Sequence, residues 1–336
     1  MEYIALGNAG IQVSRLCLGT MGFGRKIDKT SAARALDEAL DNGVNIVDTA
    51  ESYGTDQPAE EIIGDLLSNG RRDKVYVASK VFRRRAADGH CGRNSRSNIL
   101  HSLDLSLRRL QTDYIDLYQL HHPDPDTPIE ETLSTLDDLV RTGKIRYVGV
   151  SNHFAWQMAY MLGVANRHGW EPMVSYQMCY NLLDRPVEVE AVPFCRKFNV
   201  ATMAYSPLCG GMLSGKYKRN EPPPAKSRVG EWGKKMLAFH EDSAIHDMLD
   251  EMRKIAQEQD VTLNQLAVQW LLSKPYVATV ILGGSRPDHY SPMYDIADKR
   301  LPDDVVEKMD AITSRQVYKR FMNQPYTDGP NLALQR

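Results

Sequence analysis

Eight short apolar runs, each separated from the next by an interval long enough for a helix, constrain this chain more than anything else in it. They are Leu16–Leu18, Val44–Val47, Val75–Ala78, Tyr114–Leu120, Ile145–Val150, Met173–Tyr176, Val200–Ala204 and Val277–Leu282. Runs this short, bordered by turn residues, read as strands buried on both faces. Strands that alternate with helices build βαβ units and hence a parallel sheet. Ahead of the first run, Tyr3-Ile4-Ala5-Leu6, the turn Gly7–Gly10 and Ile11-Gln12-Val13 read as a β-hairpin.

The intervening segments carry helix signals. Thr127-Pro128-Ile129-Glu130 combines a capping box with Pro at the first helical position. Leu133, Leu136 and Val140 then share one face, and Gly143 stands where a C-terminal cap belongs. Ala33, Leu36 and Leu40 form a similar stripe ending before Gly43. Thr262 and Gln265 open a helix bearing Ala267, Trp270 and Leu271. The stretch from Leu208 to roughly Asp242, with Pro222-Pro223-Pro224 inside it, breaks the spacing. It reads as a long structureless lid or binding loop. Residues from about 315 to 336 read as a C-terminal tail.

An open doubly wound sheet fits alternating β and α elements as well as a closed barrel does. Two features favour the barrel. The count of strands is eight, and the unusual polar residues fall at the strands' C-terminal ends, where barrel enzymes place their sites. Gly19, Gly22 and Gly24 have the wrong spacing for the dinucleotide fingerprint of an open sheet. The expected fold is therefore a single (β/α)₈ barrel over residues 1–336, with an N-terminal hairpin and a long loop after strand seven.

Composition removes several classes. Lys and Arg number 41 against 43 Asp and Glu, so no net charge draws the chain to nucleic acid or an anionic membrane. The first ten residues lack the basic and apolar regions of a signal peptide, and no apolar run approaches the ~20 residues of a membrane helix. The five cysteines are scattered, odd in number and without a C-x-x-C pair, which reads as reduced thiols in a cytoplasmic protein. The adjacent His121 and His122 would point to opposite faces of a strand, and no carboxylate or second histidine motif completes a metal site.

Four strand-end residues carry chemistry. Asp48 ends the second run, Tyr53 lies five positions later, Lys80 closes the third run and His121 closes the fourth. Singly, each has an ordinary reading as a helix cap, a turn or a solvated charge. Together on one rim they make a proton-transfer set. A phenol with a pKa of about 10 donates readily at neutral pH but is a poor base. A neighbouring ammonium lowers that pKa and eases transfer both ways. Lys80 would supply the ammonium, Asp48 would hold it charged, and His121 would orient a substrate carbonyl. None of the four supplies a hydride, so a cofactor is required.

The segments around these residues are Gly43-Val44-Asn45-Ile46-Val47-Asp48-Thr49-Ala50-Glu51-Ser52-Tyr53-Gly54, Ala78-Ser79-Lys80, Asp113 through His121, and Gly149-Val150-Ser151-Asn152. With Tyr205-Ser206-Pro207-Leu208 and Gly283-Gly284-Ser285-Arg286, they make the chain resemble the aldo-keto reductase family from Tyr3 to about Ile312. The resemblance implies that Asp48, Tyr53, Lys80 and His121 are a catalytic tetrad for hydride transfer between nicotinamide C4 and a carbonyl carbon. It implies that Ser151, Asn152 and Gln177 hold the carboxamide and that Tyr205 stacks on the nicotinamide. Ser206, Leu208, Gly210, Lys216 and Arg228 would meet the pyrophosphate, with Thr20, Met21, Asp48 and Gly284 as further cofactor contacts. Ser285 and Arg286 follow the eighth strand, where barrels bind phosphate, so NADPH is expected over NADH. His289, Pro292 and Met293 depart from the family's pattern at the adenosine end.

On the substrate side, Phe23, Phe82 and His122, with Met21, are expected to form the pocket. Arg83-Arg84-Arg85 follows the third strand and would suit an anionic substrate. The expected function is reduction of an aldehyde or ketone, or the reverse oxidation of an alcohol. Oxidation of a sugar hydroxyl with the same tetrad, or a non-catalytic NADP(H)-binding regulatory subunit, are the alternatives.

Overall fold

A computed structural model describes residues 1–55, 57–68, 70–82, 92–231, 237 and 240–317. The hairpin forms from β1 (Tyr3–Ala5) and β2 (Gln12–Ser14), paired antiparallel. The eight apolar runs become β3 (Leu16–Gly19), β4 (Ile46–Asp48), β5 (Tyr76–Val81), β6 (Ile115–Leu120), β7 (Ile145–Ser151), β8 (Met173–Cys179), β9 (Ala201–Tyr205) and β10 (Val277–Leu282). Each pairs in parallel with its neighbour in sequence, and β10 returns to β3 through Val280↔Leu16, closing the barrel. The expected (β/α)₈ architecture is the observed one.

Two apolar layers follow from the period-2 alternation of strand side chains. Outward residues such as Leu18, Val47, Val77, Tyr118 and Val150 pack under the helices. Inward residues, among them Cys17, Ile46, Ala78, Leu117 and Met203, fill the barrel's lower interior together with Leu6, Ala9 and Val13 of the hairpin. The hairpin is thus a plug across the N-terminal end. Gly7 makes this seating possible: it has a φ of +58°, and a Cβ there would lie 2.4 Å from the Val174 carbonyl and 2.7 Å from that of Asn199.

Helix details correct several expectations. Helix Ile129–Arg141 has Pro128 at its N-cap, and the Thr127 hydroxyl donates to Asp124 at 2.7 Å rather than capping the helix. In helix Lys29–Asp41 the buried face is Ala32, Ala35, Leu36 and Ala39, with Ala33 and Leu40 at its edges. Alanines there let the helix lie close on the sheet. The Thr262–Gln265 capping box forms as expected, and Gly43 and Gly143 take left-handed φ values of +80° and +72°. The segment after β9 is not structureless: a 3₁₀ stretch occupies Cys209–Ser214 and a helical turn occupies Arg228–Glu231. Most of the expected tail lies outside the described residues.

Replacing Gly7 by alanine combines a left-handed backbone with a clash into two carbonyls. The Gly7→Ala variant is expected to lose about 2 kcal/mol or more of unfolding free energy, measured by urea titration; a change under ~0.5 kcal/mol would show that the plug is dispensable.

Candidate active site

The barrel's upper interior reverses the chemistry of its lower one. Two positions beyond Ile46 on the same inward face stands Asp48, two beyond Ala78 stands Lys80, and two beyond Leu117 stands Gln119. Lys80 and Gln119 are paired neighbours on adjacent strands. A fully enclosed lysine must find acceptors, and Lys80 has three. Its Nζ donates to Asp48 Oδ2 at 2.7 Å, to the Thr49 carbonyl at 2.7 Å and to Tyr53 Oη at 3.2 Å. The Nζ also lies 4.7 Å from the centre of the Tyr53 ring.

Asp48 is held from its other side. Gln177 Nε2 donates to Asp48 Oδ1 at 2.7 Å, and Gln119 Nε2 approaches the same oxygen at 3.4 Å. Thr20, at the exit of β3, donates both its N–H and its hydroxyl to the Asp48 carbonyl. Gln177 is therefore a brace for Asp48 at least as much as a binding group. Gln119 was not singled out from sequence, although a polar side chain at an inward position of an otherwise apolar run was visible there.

The environment sets the protonation states. Burial alone would depress the Lys80 ammonium, but Asp48 and Tyr53 outweigh it and hold Lys80 above its ordinary value. Burial also drives the Tyr53 phenol upward, against the pull of Lys80 and a smaller pull from Arg228. The ammonium lowers the phenol as expected, but desolvation of a phenolate is the larger effect here and Asp48 adds to it, so the net direction is up. His121 is driven well below its ordinary value by burial, then by Lys80 and His122, so it is neutral at pH 7. Burial likewise brings His122 down to about 4.

His121 and His122 do not point to opposite faces. Their rings stack 4.8 Å apart at 17°, because both lie beyond the last residue of β6, where strand alternation no longer applies. Phe82 lies 4.9 Å from His122, and Tyr53 lies edge-on to His121 at 6.1 Å. A row of four rings, Tyr53–His121–His122–Phe82, thus borders the mouth. Phe23 is not part of it. It is fully enclosed in the core, since the loop after β3 folds inward with the Phe23 N–H bonded to the Thr20 carbonyl. Met21 from the same loop is exposed at 36%.

The remaining strand exits gather polar groups. Asn152, with a left-handed φ of +61°, donates to Ser151 Oγ at 2.9 Å and to the His121 carbonyl at 3.0 Å, and accepts from Tyr205 Oη at 2.7 Å. After β9, Ser206, Cys209, Gly210 and Gly211 all take positive φ, and the Leu208 carbonyl accepts the Gly211 N–H at 2.8 Å. Such turns point backbone N–H groups to one side and suit an anion. After β10, the Ser285 N–H donates to His289 Nδ1 at 3.3 Å, and Arg286 Nη2 lies 3.3 Å from His289 Nε2. Burial, then Arg286 and Lys216, lower His289, which brings two cations to one neighbourhood. A Cβ at Gly22 would meet the Gly284 carbonyl at 2.6 Å, so the loops after β3 and β10 touch. Met293 is buried in the core. Arg83, Arg84, Arg85 and Cys91 lie outside the described residues. Among the described residues, no group of three or more His, Cys, Asp or Glu is placed to hold a metal, and no helix is long and apolar enough to cross a membrane.

These observations test whether a nicotinamide dinucleotide fits. A half-buried tyrosine ring and amide groups at one side of the mouth, with N–H-rich turns and two cations at the other, match a flat ring joined to phosphates. The donor set fits the group.

His153, enclosed beneath this rim, donates its Nδ1–H to the Ser151 carbonyl at 2.7 Å, and burial lowers it from 6.5 to about 4. Its folded value lies below its unfolded one, so its contribution is present above pH 6.5 and is lost as pH falls toward 4. Unfolding free energy is expected to drop by about 3 kcal/mol across that window from His153 alone, read from denaturant titrations at each pH. A His153→Gln variant that keeps the same acid slope would refute the assignment.

Comparison with known proteins gives a consistent picture. The model of the Aldo/keto reductase family matches residues 15–314. A Bacillus subtilis (strain 168) protein described as the uncharacterized oxidoreductase YrpG is 38% identical over 293 residues, covering 84% of this chain and 87% of its own length. The aldo-keto reductase YhdN of the same organism is 34% identical over 304 residues, covering 88% of each.

Proposed function

Because the chain belongs to the aldo/keto reductase family, and with it to the nicotinamide-dependent oxidoreductases of carbonyl compounds, we propose that it reduces an aldehyde or ketone with NADPH and that Tyr53 delivers the proton. One observation carries this reading: the Tyr53 hydroxyl lies 3.2 Å from a buried ammonium that is itself 2.7 Å from a carboxylate.

The nicotinamide, when bound, supplies the hydride. Ser151, Asn152, Gln177 and Tyr205 are the residues to hold it, with Thr20, Met21, Asp48 and Gly284 around it. Ser206, Leu208, Gly210, Lys216 and Arg228 would take the pyrophosphate, and Ser285 with Arg286 the additional phosphate of NADPH. The chain's own residues do the rest. Neutral His121 donates a hydrogen bond to the carbonyl oxygen and fixes its orientation. As negative charge grows on that oxygen, the protonated Tyr53 phenol gives up its proton. The Lys80 ammonium stabilises the phenolate left behind, and Asp48 keeps Lys80 charged while it does so. Run backwards, the phenolate takes the proton of an alcohol. Phe82 and His122 offer an uncharged wall to the carbonyl's substituent. The buried cysteines Cys17, Cys179, Cys195 and Cys209, none of them in a disulfide, suit a reducing, cytoplasmic setting.

Two measurements test this. Tyr53→Phe removes only the hydroxyl, and NADPH-dependent turnover across a panel of aldehydes and ketones is expected to fall ~100-fold or more; a variant as fast as the native enzyme would remove Tyr53 from the chemistry. Arg286→Ala is expected to weaken NADPH binding by about 10-fold or more, with NADH binding nearly unchanged. Equal native affinities for the two coenzymes would end the phosphate role.

A further inference from the structure

We propose that Glu51 is a positioning residue that fixes the separation of Tyr53 from Lys80, an inference that rests on the reading of Tyr53 as proton donor. Glu51 lies two residues before Tyr53 and is 6% exposed, an unusual fate for a glutamate. Two of its groups are committed to the strand that carries Lys80 and its exit, and a third to Arg109 of helix Arg96–Leu110. Its Oε1 accepts the Phe82 backbone N–H at 2.7 Å. Its own N–H donates to the Lys80 carbonyl at 3.4 Å, and its carbonyl accepts from Arg109 Nη1 at 3.4 Å. With the Thr49 N–H, which donates to the Ala78 carbonyl at 2.8 Å, these bonds tie the loop between Asp48 and Tyr53 to this stretch of chain on both sides of Lys80.

The tie has a foundation. Arg109 also reaches Glu60 Oε2 at 3.4 Å, and Glu60, fully enclosed, accepts the Ser79 hydroxyl at 2.6 Å. Ser79 precedes Lys80 and Phe82 follows it by two positions. Glu60 and Glu51 thus clamp the strand from outside, one on each side of the lysine that points inward. A hydrocarbon side chain would fill the space at Glu51 without any desolvation penalty; what the carboxylate adds is a directional acceptor at a fixed reach. That matters because a misplacement of about 1 Å in a proton-transfer pair costs on the order of 100-fold in rate. The same bond places Phe82, whose ring lies 4.9 Å from His122, so it also sets one wall of the mouth.

The test compares Glu51→Asp, Glu51→Gln and Glu51→Ala in the full-length protein, with Tyr53→Phe alongside. Turnover constants, NADPH dissociation constants from coenzyme fluorescence, thermal unfolding and the pH profile of reduction are measured for each. Glu51→Asp keeps the charge but withdraws the acceptor by one methylene. It is expected to lower kcat about 10-fold or more with NADPH affinity unchanged. Its alkaline limb is expected to move to higher pH. The groups that act on the phenol are Lys80, Asp48, His121 and Arg228, and a loop that drifts from Lys80 loses the strongest downward pull among them. Glu51→Gln keeps an oxygen at the same reach and is expected to recover most of kcat. Where Glu51→Ala does not fold, the Asp and Gln variants decide.

Native kcat and an unmoved alkaline limb in Glu51→Asp would overturn the proposal, as would losses that follow only folded fraction or NADPH affinity. The underlying reading fails separately: a fully active Tyr53→Phe removes it, whereas an inactive Tyr53→Phe beside normal Glu51 variants removes the positioning role alone.

Discussion

The buried ion pair of Lys80 and Asp48 is the interaction on which the upper half of the barrel depends. Taking a lone ammonium or carboxylate out of water is very costly, and mutual attraction offsets this only when the remaining donors and acceptors are also satisfied. Here they are. Lys80 spends its three protons on Asp48, the Thr49 carbonyl and Tyr53, while Asp48 receives Gln177 and Gln119 on its other oxygen. The network spans β4, β5, β6, β8 and the loop after β4. Its polar groups therefore fix the relative heights of several strands as well as the protonation of one phenol.

The barrel supplies the precision. A loop alone would not hold an ammonium within hydrogen-bond reach of a phenol, but a closed sheet fixes strand register, and register fixes which residues share a level. Asp48 pairs with Ala78, and Lys80, two residues further on, pairs with Gln119. The polar set sits directly above an apolar floor of Ile46, Ala78 and Leu117, and this low-dielectric support strengthens every charge–charge contact above it.

Much of this was legible from residues alone. The eight strands and the hairpin followed from apolar runs and turn residues, because both signals are local. Asp48, Tyr53, Lys80 and His121 stood out as a set: each has an ordinary reading alone, but an acid, a phenol, an amine and an imidazole at the ends of neighbouring strands combine into proton-transfer chemistry. What escaped was information held in three dimensions. Phe23 reads as a rim aromatic until the fold of its loop turns it into the core. The stacking of His121 on His122 depends on where β6 stops, a matter of one residue. Gln119 and Glu51 look like ordinary polar residues in one dimension, and only the neighbouring strands show that they brace Asp48 and the Tyr53 loop. The rise in the Tyr53 phenol's proton affinity is likewise a competition between burial and a nearby charge that sequence cannot rank.

The stopper formed by Leu6, Ala9 and Val13 has a wider meaning. By sealing one opening of the cylinder against water, it lets the floor of the molecule be held by packing that no reacting group shares. Loops at the opposite opening are then free to diverge in length and character without eroding the scaffold beneath. Diversification of chemistry on this architecture is, in that sense, underwritten by a dozen residues at the far end that never meet a reactant.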